Sequence, residues 1–309
     1  MYIPENTSLL KVLSLSLLLS GSFLFANAQE TAATLFKSSQ LTPLNSFTRG
    51  IEGPAVGSSG TVYVVNFAKQ GTIGQVTPQG DASIFVELPT GSIGNGIRFD
   101  SKSNMLIADY TNHNILKINM LTKNINVFAH NSTMSQPNDI AIDKKDRLYA
   151  SDPNWKENTG RIWRIDTNGK TTKLDSMGTA NGIEVSPDNK FLYVNESIQR
   201  KVWVYNLSEK GEVSNKRLFH EFPDFGMDGM RCDIDGNLYI TRHGKGTIAK
   251  LSPSGKLMTE IRLIGKLPSN IAFGGKDGRT AYVTLQDNGN IESFRVDKPG
   301  LEWAMSKRK

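Results

Sequence analysis

One pattern returns six times along the 309-residue chain, and it constrains the fold more than any other feature of the sequence. A short apolar strand reads TVYVVNF, NMLIADY, RLYASD, FLYVNES, NLYITRH and TAYVTLQ. These copies centre on Tyr63, Leu106, Tyr149, Tyr193, Tyr239 and Tyr282, at spacings of 43, 43, 44, 46 and 43. Each follows a short apolar run and a polar turn, such as Asp143-Lys144-Lys145-Asp146 or Asp235-Gly236. A second hairpin follows, as in TIGQVTPQGDASIFV and RIWRIDTNGKTTKL. Four short strands per repeat predict an all-β, six-bladed β-propeller, with four antiparallel strands per blade around a central channel. The last copy shows three clear strands, ending near Val296. Either the segment around Thr34 to Leu44 or the C-terminal Leu301 to Met305 closes the ring.

The first 28 residues lie outside this pattern. Val12 to Phe25 is almost wholly apolar or Ser/Gly, follows Lys11 and leads into Ala26-Asn27-Ala28. That order predicts a secretory signal peptide cut after Ala28, leaving residues 29–309 as one propeller domain. A membrane anchor is the alternative, but about 14 apolar positions fall short of the roughly 20 that a spanning helix needs. The expected location is therefore periplasmic or secreted, with no membrane attachment after cleavage. Cys232 is the only cysteine, so no intramolecular disulfide forms there and stability must come from burial. The net charge of +6 is spread along the chain, apart from Lys307-Arg308-Lys309 at the end. It does not show the clustered basic and aromatic residues of a nucleic-acid binder.

Eleven or twelve residues before each strand centre stand Glu52, Asn95, Asn138, Asn181, Asp228 and Asn270, in the contexts EGP, NGI, NDI, NGI, DGM and NIA. The first strand of a propeller blade is innermost, so these positions converge on the axis. Six oxygen-bearing side chains, two of them carboxylates, suit a hard divalent cation taking about six to eight oxygen ligands. No Cys or His joins them, which argues against a zinc or copper site. For any one Asn a simple turn role is an adequate explanation. For six in phase it is weaker, because unpaired carboxylates crowded on an axis are costly without a cation.

At these residues the sequence resembles the senescence-marker-protein/gluconolactonase family, which includes regucalcin-like and luciferin-regenerating-enzyme-like proteins. The resemblance is carried by EGP at Glu52, PND at Pro137 to Asp139, NGIEVSPDNKFLY at Asn181 and DGMRCDIDGNLY at Asp228, in family order. It implies a metal-dependent hydrolase, mostly lactonase, with diisopropyl-fluorophosphatases as relatives. By the same resemblance Glu52, Asn181 and Asp228 bind one cation, Ca²⁺ first, with Mg²⁺, Mn²⁺ or Zn²⁺ as substitutes, and Asn138 is either a further ligand or a contact to substrate and metal-bound water. Asp228 is then the general base or nucleophile-activating group. Asn95, Asn270 and Asp139 fall beside this set. Sugar-lactonase members often carry Arg where this chain has Gln136, which puts gluconolactone in doubt as substrate.

The loops after the aligned strands are expected on the same face as the axial residues, placing Tyr110, His113, Trp155 and His243 near the channel mouth. Asp233-Ile234-Asp235-Gly236-Asn237 superficially resembles a calcium loop, but Gly244 stands where its closing Glu should be, so it reads as a hairpin turn. Trp163 and Trp203 read as inter-blade core. The favoured reading is an exported hydrolase opening a small-molecule lactone or related ester. Two others stay open: a non-catalytic binding propeller with a structural metal, and a phosphotriester-type hydrolase on the same metal.

Overall fold

In the computed structural model, which describes residues 35–307, the chain forms six four-stranded antiparallel sheets. The expected signal peptide lies outside the described residues. Blade 1 runs through Phe47–Val56, Val62–Phe67, Thr72–Val76 and Ala82–Glu87. Blade 4 runs through Ala180–Val185, Phe191–Glu196, Lys201–Leu207 and Val213–Glu221, and the others repeat this order. The first strand of every blade touches the first strand of the next, and that of blade 6 touches that of blade 1, so the sheets close a ring.

Burial falls from the axis outward, and the sequence pattern follows it. Strands one and two of blade 4 are almost wholly buried, because neighbouring blades cover both faces, and they read as continuous apolar runs. The outermost strand, Val213–Glu221, is largely exposed and carries Asn, Lys, Arg and His. The core therefore consists of layers between blades: Tyr63, Val65 and Ile73 of blade 1 pack with Ile97, Met105 and Leu116 of blade 2. Trp163 lies in such a layer with Leu106 and Ala108, while Trp203 is half-buried against the core of blades 3 and 4.

The ring closes through the N-terminal segment. Ser39–Gln40 pairs antiparallel with Asn290–Arg295 as the outer strand of blade 6, with Ser39 opposite Ser293 and Gln40 opposite Glu292. Thr42 Oγ1 extends the closure by accepting the Ile291 N–H at 2.9 Å. Leu301–Ser306 instead forms a short helix, α1, anchored by buried Leu301 and packed on blade 6, where its Trp303 ring fills the space beside Gly278.

A repeated device fixes the loops on the ring face. A carboxylate at the end of the second strand, or just beyond it, accepts backbone N–H groups from the loop that enters the same blade. Asp152 accepts from Ser135 and Gln136 at 2.7 and 2.6 Å, Glu196 from Gly178 at 2.7 Å and Asp287 from Lys266 at 2.6 Å. Such charge-assisted bonds hold segments that have no sheet partner of their own. The Asp233 turn is a hairpin: its Oδ1 accepts from Asp235 and Asn237 N–H at 3.0 and 2.9 Å.

Candidate functional site

Glu52, Asn95, Asn181 and Asn270 all sit where strand register slips against the neighbouring strand, so a local bulge re-aims each one. Asn138 and Asp228 precede the ladders of blades 3 and 5, but their N–H groups still bond Ser151 O at 2.8 Å and Thr241 O at 3.1 Å. The residue that follows is usually glycine, and the reason is space. A methyl group at Gly182 would collide with the Asp228 carbonyl and the Asn195 amide, and one at Gly229 with the Asn270 side chain. The Asn-Gly and Asp-Gly pairs thus let adjacent blades approach at the axis.

The ring concentrates uncompensated polarity. Glu52 is buried and accepts Gly53 N–H at 2.7 Å and Asn270 Nδ2 at 3.1 Å. Burial, and then the Asp139 carboxylate, push its acid up to about 7. Asp228 is raised well above the usual carboxylate range, first by burial and then by the neighbouring Glu52 charge. Its backbone carbonyl takes Asn195 Nδ2 at 2.6 Å. The amide oxygens of Asn138 and Asn181 are buried and accept no hydrogen bond from the protein. Asn95 and Asn270 instead donate to ring neighbours, Asn95 to Asn138 O at 3.3 Å.

Two carboxylates that resist ionisation and two unsatisfied amide oxygens make an all-oxygen set of the kind a hard cation can take. Among the described residues no three His, Cys, Asp or Glu side chains gather as a metal cluster. An ion at this ring would therefore rely on amide oxygens beside Glu52 and Asp228, which is oxygen-only, hard-cation chemistry.

Three residues further along each inner strand lies a second tier: Ala55, Arg98, Ala141, Glu184, Arg231 and Phe273. Arg98 and Arg231, on opposite blades, are fully buried and converge on Asp139, Arg231 Nη1 at 3.0 Å and Arg98 Nη1 at 3.5 Å. Arg98 also meets Glu184 at 3.4 Å. Glu302 of α1 completes the cluster, with Oε1 2.5 Å from Arg98 Nε and 3.8 Å from Arg231 Nε. The Arg98 approach is off the N–H direction, so it is an ion pair without an aligned hydrogen bond. Because Glu302 reaches arginines on opposite blades, α1 crosses the axis and stoppers the channel at the end away from the ring. A cavity of about 690 Å³ lies on that closed face, lined by Tyr63, Phe99, Met120, Ile142 and Met305, and the ionic tier separates it from the ring.

Second strands end beside the ring residues, so the turns after them open on the ring face, and Tyr110, His113, Trp155 and His243 lie there. His243 Nε2 meets Gln286 Oε1 at 3.1 Å; the buried His113 Nδ1 has no partner in the protein; Trp155 is 41% exposed at a hairpin tip. Gln136 is tied through its N–H to Asp152, and Asp139 points away from the mouth into the arginine pair. The arginine tier and the stopper helix were not anticipated from the sequence.

Fold and site together define a six-bladed propeller with an oxygen-donor ring at the open end of a stoppered channel. Residues 50–287 match the SMP-30/Gluconolactonase/LRE-like region, and the chain belongs to that family. It is 30% identical over 176 residues to an uncharacterized protein of Sulfolobus acidocaldarius, covering 53% of this chain and 64% of that protein. With the gluconolactonase of Zymomonas mobilis it shares 26% identity over 274 residues, 77% of this chain and 76% of the relative. In structure it is similar to a calcium-binding protein, regucalcin, from Agrobacterium tumefaciens, with a TM-score of 0.73 and 21% identity, covering 85% of this chain and 97% of the other. At that identity the likeness speaks for the fold.

Proposed function

We propose that the protein is a lactone hydrolase whose axial ring works with one divalent cation, Ca²⁺ foremost. The observation that carries this reading is the pairing of Glu52 and Asp228, both held back from ionising, with the unsatisfied amide oxygens of Asn138 and Asn181. Family membership and the gluconolactonase similarity support the reaction class. Glu52, Asn138, Asn181 and Asp228 would hold the ion. When bound, it supplies polarisation of the lactone carbonyl and compensation for the charge that builds on its oxygen.

The chain's own groups do the rest. Asp228 accepts a proton from the attacking water; burial and the Glu52 charge raise its pKa above the usual carboxylate range, and the carboxylate form that a base needs is the one a bound cation would favour. Asn138, whose N–H and carbonyl are fixed by Ser151 and by blade 2, holds its free amide oxygen toward water or substrate hydroxyl. The ring oxygen of the lactone leaves as a hydroxyl with the transferred proton, and the product is a hydroxy acid. The stoppered channel restricts approach to one face.

Hydrolysis of a lactone panel, followed by acid release for the wild-type chain and Asp228→Ala, tests this reading. Activity that survives Asp228→Ala removes Asp228 from the mechanism. A panel with no turnover, beside calcium binding at the ring, would favour the binding propeller instead.

A further inference from the structure

One sector of the mouth displays three exposed apolar side chains, one on each of three loops in contact. Trp155 tips the hairpin of blade 3, Ile198 the hairpin of blade 4, and Phe225 the loop from blade 4 to blade 5; they are 41%, 47% and 49% exposed. The hairpin tips are joined by Gln199 Nε2 donating to Asn158 O at 3.1 Å. Gly226 approaches Ser197 so closely that an added methyl would sit 3.1 Å from its Oγ.

Phe225 is held there against its own preference. Its φ of +44° is in the left-handed region, which costs a bulky residue about 1–2 kcal/mol. Phe36, the other phenylalanine with positive φ among the described residues, packs against the blade 6 core, whereas Phe225 is half-exposed, its ring beside Gly244. The loop is braced from beneath: buried Arg242 donates to the Asp224 carbonyl and to its carboxylate at 2.7 Å, and Lys245 pairs with the same carboxylate at 3.4 Å. Two residues on, the Met227 carbonyl faces Asn181 Nδ2 at 3.5 Å, and Asp228 follows. A strained, braced aromatic displayed three residues before a ring carboxylate is the arrangement of a ligand contact.

We infer that this sector receives an apolar substituent of the substrate, so that the preferred lactones carry an alkyl or aryl chain rather than a polyhydroxylated ring. Trp155, Ile198 and Phe225 set that preference. The inference rests on the ring being a lactone-hydrolysing site. Lys156, Glu157 and Arg200 neighbour the three side chains along the same turns and supply the polar border common around an apolar contact.

The test measures kcat/KM for γ-butyrolactones with alkyl chains from one to eight carbons, beside glucono-1,5-lactone, on the wild-type chain, Trp155→Ser, Phe225→Ser and Phe225→Leu. Burying each added methylene predicts a rise of about two- to fourfold over the first several carbons. The ratio of long-chain to short-chain kcat/KM should fall at least tenfold in Phe225→Ser and Trp155→Ser and be largely kept in Phe225→Leu. Because these positions are exposed, the folded state should tolerate the changes, which circular dichroism checks. Preference for gluconolactone, or a chain-length ratio indifferent to both Ser variants, overturns the inference while leaving the lactonase reading standing. No hydrolysis of any lactone overturns both.

Discussion

Asp228 and Glu52 carry the most easily measured consequences of the ring. Replacing Asp228 by Asn keeps size and removes the proton acceptor, so kcat/KM for lactones should fall on the order of 10²–10⁴-fold while the circular dichroism spectrum is unchanged. Both carboxyls have folded-state pKa values raised above their unfolded values, Glu52 from 4.5 to about 7. Protonation therefore favours the folded chain: this contribution is fully present below about pH 4.5 and is lost as pH rises through about 7. Chelated protein should lose Tm between pH 5 and 8, and Ca²⁺ should restore more at pH 8 than at pH 5. Carboxylates lowered by ion pairs, such as Asp277 beside Arg295, act below that window; Glu184, raised by burial to about 7, titrates within it, so the part of the change that Ca²⁺ reverses is the part assigned to the ring. A Tm that is flat from pH 5 to 8 with chelator would contradict the raised pKa values of the two buried acids. Gly182→Ala should cost about 1–3 kcal/mol in urea denaturation, because its methyl has backbone and a buried amide in its way.

At the scale of the element, α1 acts through one residue. Glu302 is the third carboxylate facing Arg98 and Arg231, after Asp139 and Glu184, and it is 26% exposed, so its charge is partly screened. Glu302→Gln should lower stability by about 1 kcal/mol, and a stop codon at Leu301 by more, since buried Leu301 is lost from the core as well. Denaturant midpoints of the two variants measure both effects. A truncated chain as stable as the full one would mean that the arginine pair is satisfied without α1. α1 was not legible in the sequence, and the closing strand was legible only as one of two candidate segments, for a shared reason. A six-residue helix and a two-residue strand are too short to show a period, so the choice between them for closing the ring waited on Ser39 pairing with Ser293.

Across the whole molecule, the features repeated six times were readable and those that break the repeat were not. The strand centres keep phase because every blade needs the same inner strands between the same neighbours. The ring was visible for that reason, with Glu52 and Asp228 standing out among amides. The tier beneath holds Ala, Arg, Ala, Glu, Arg and Phe, a mixture that gives no common chemistry although it sits three residues from each ring position. Its logic appears only when Arg98 and Arg231, from blades across the axis, are seen meeting one Asp139. The same organisation makes the proposed ion and the proposed chemistry of the ring one claim, which chelation tests directly. Purified protein, stripped with chelator and assayed on the lactone panel before and after restoring Ca²⁺, Mg²⁺, Mn²⁺ or Zn²⁺, should lose hydrolysis and regain it with one equivalent of bound ion, Ca²⁺ being most effective. Hydrolysis that proceeds undiminished in the chelated protein would contradict the account.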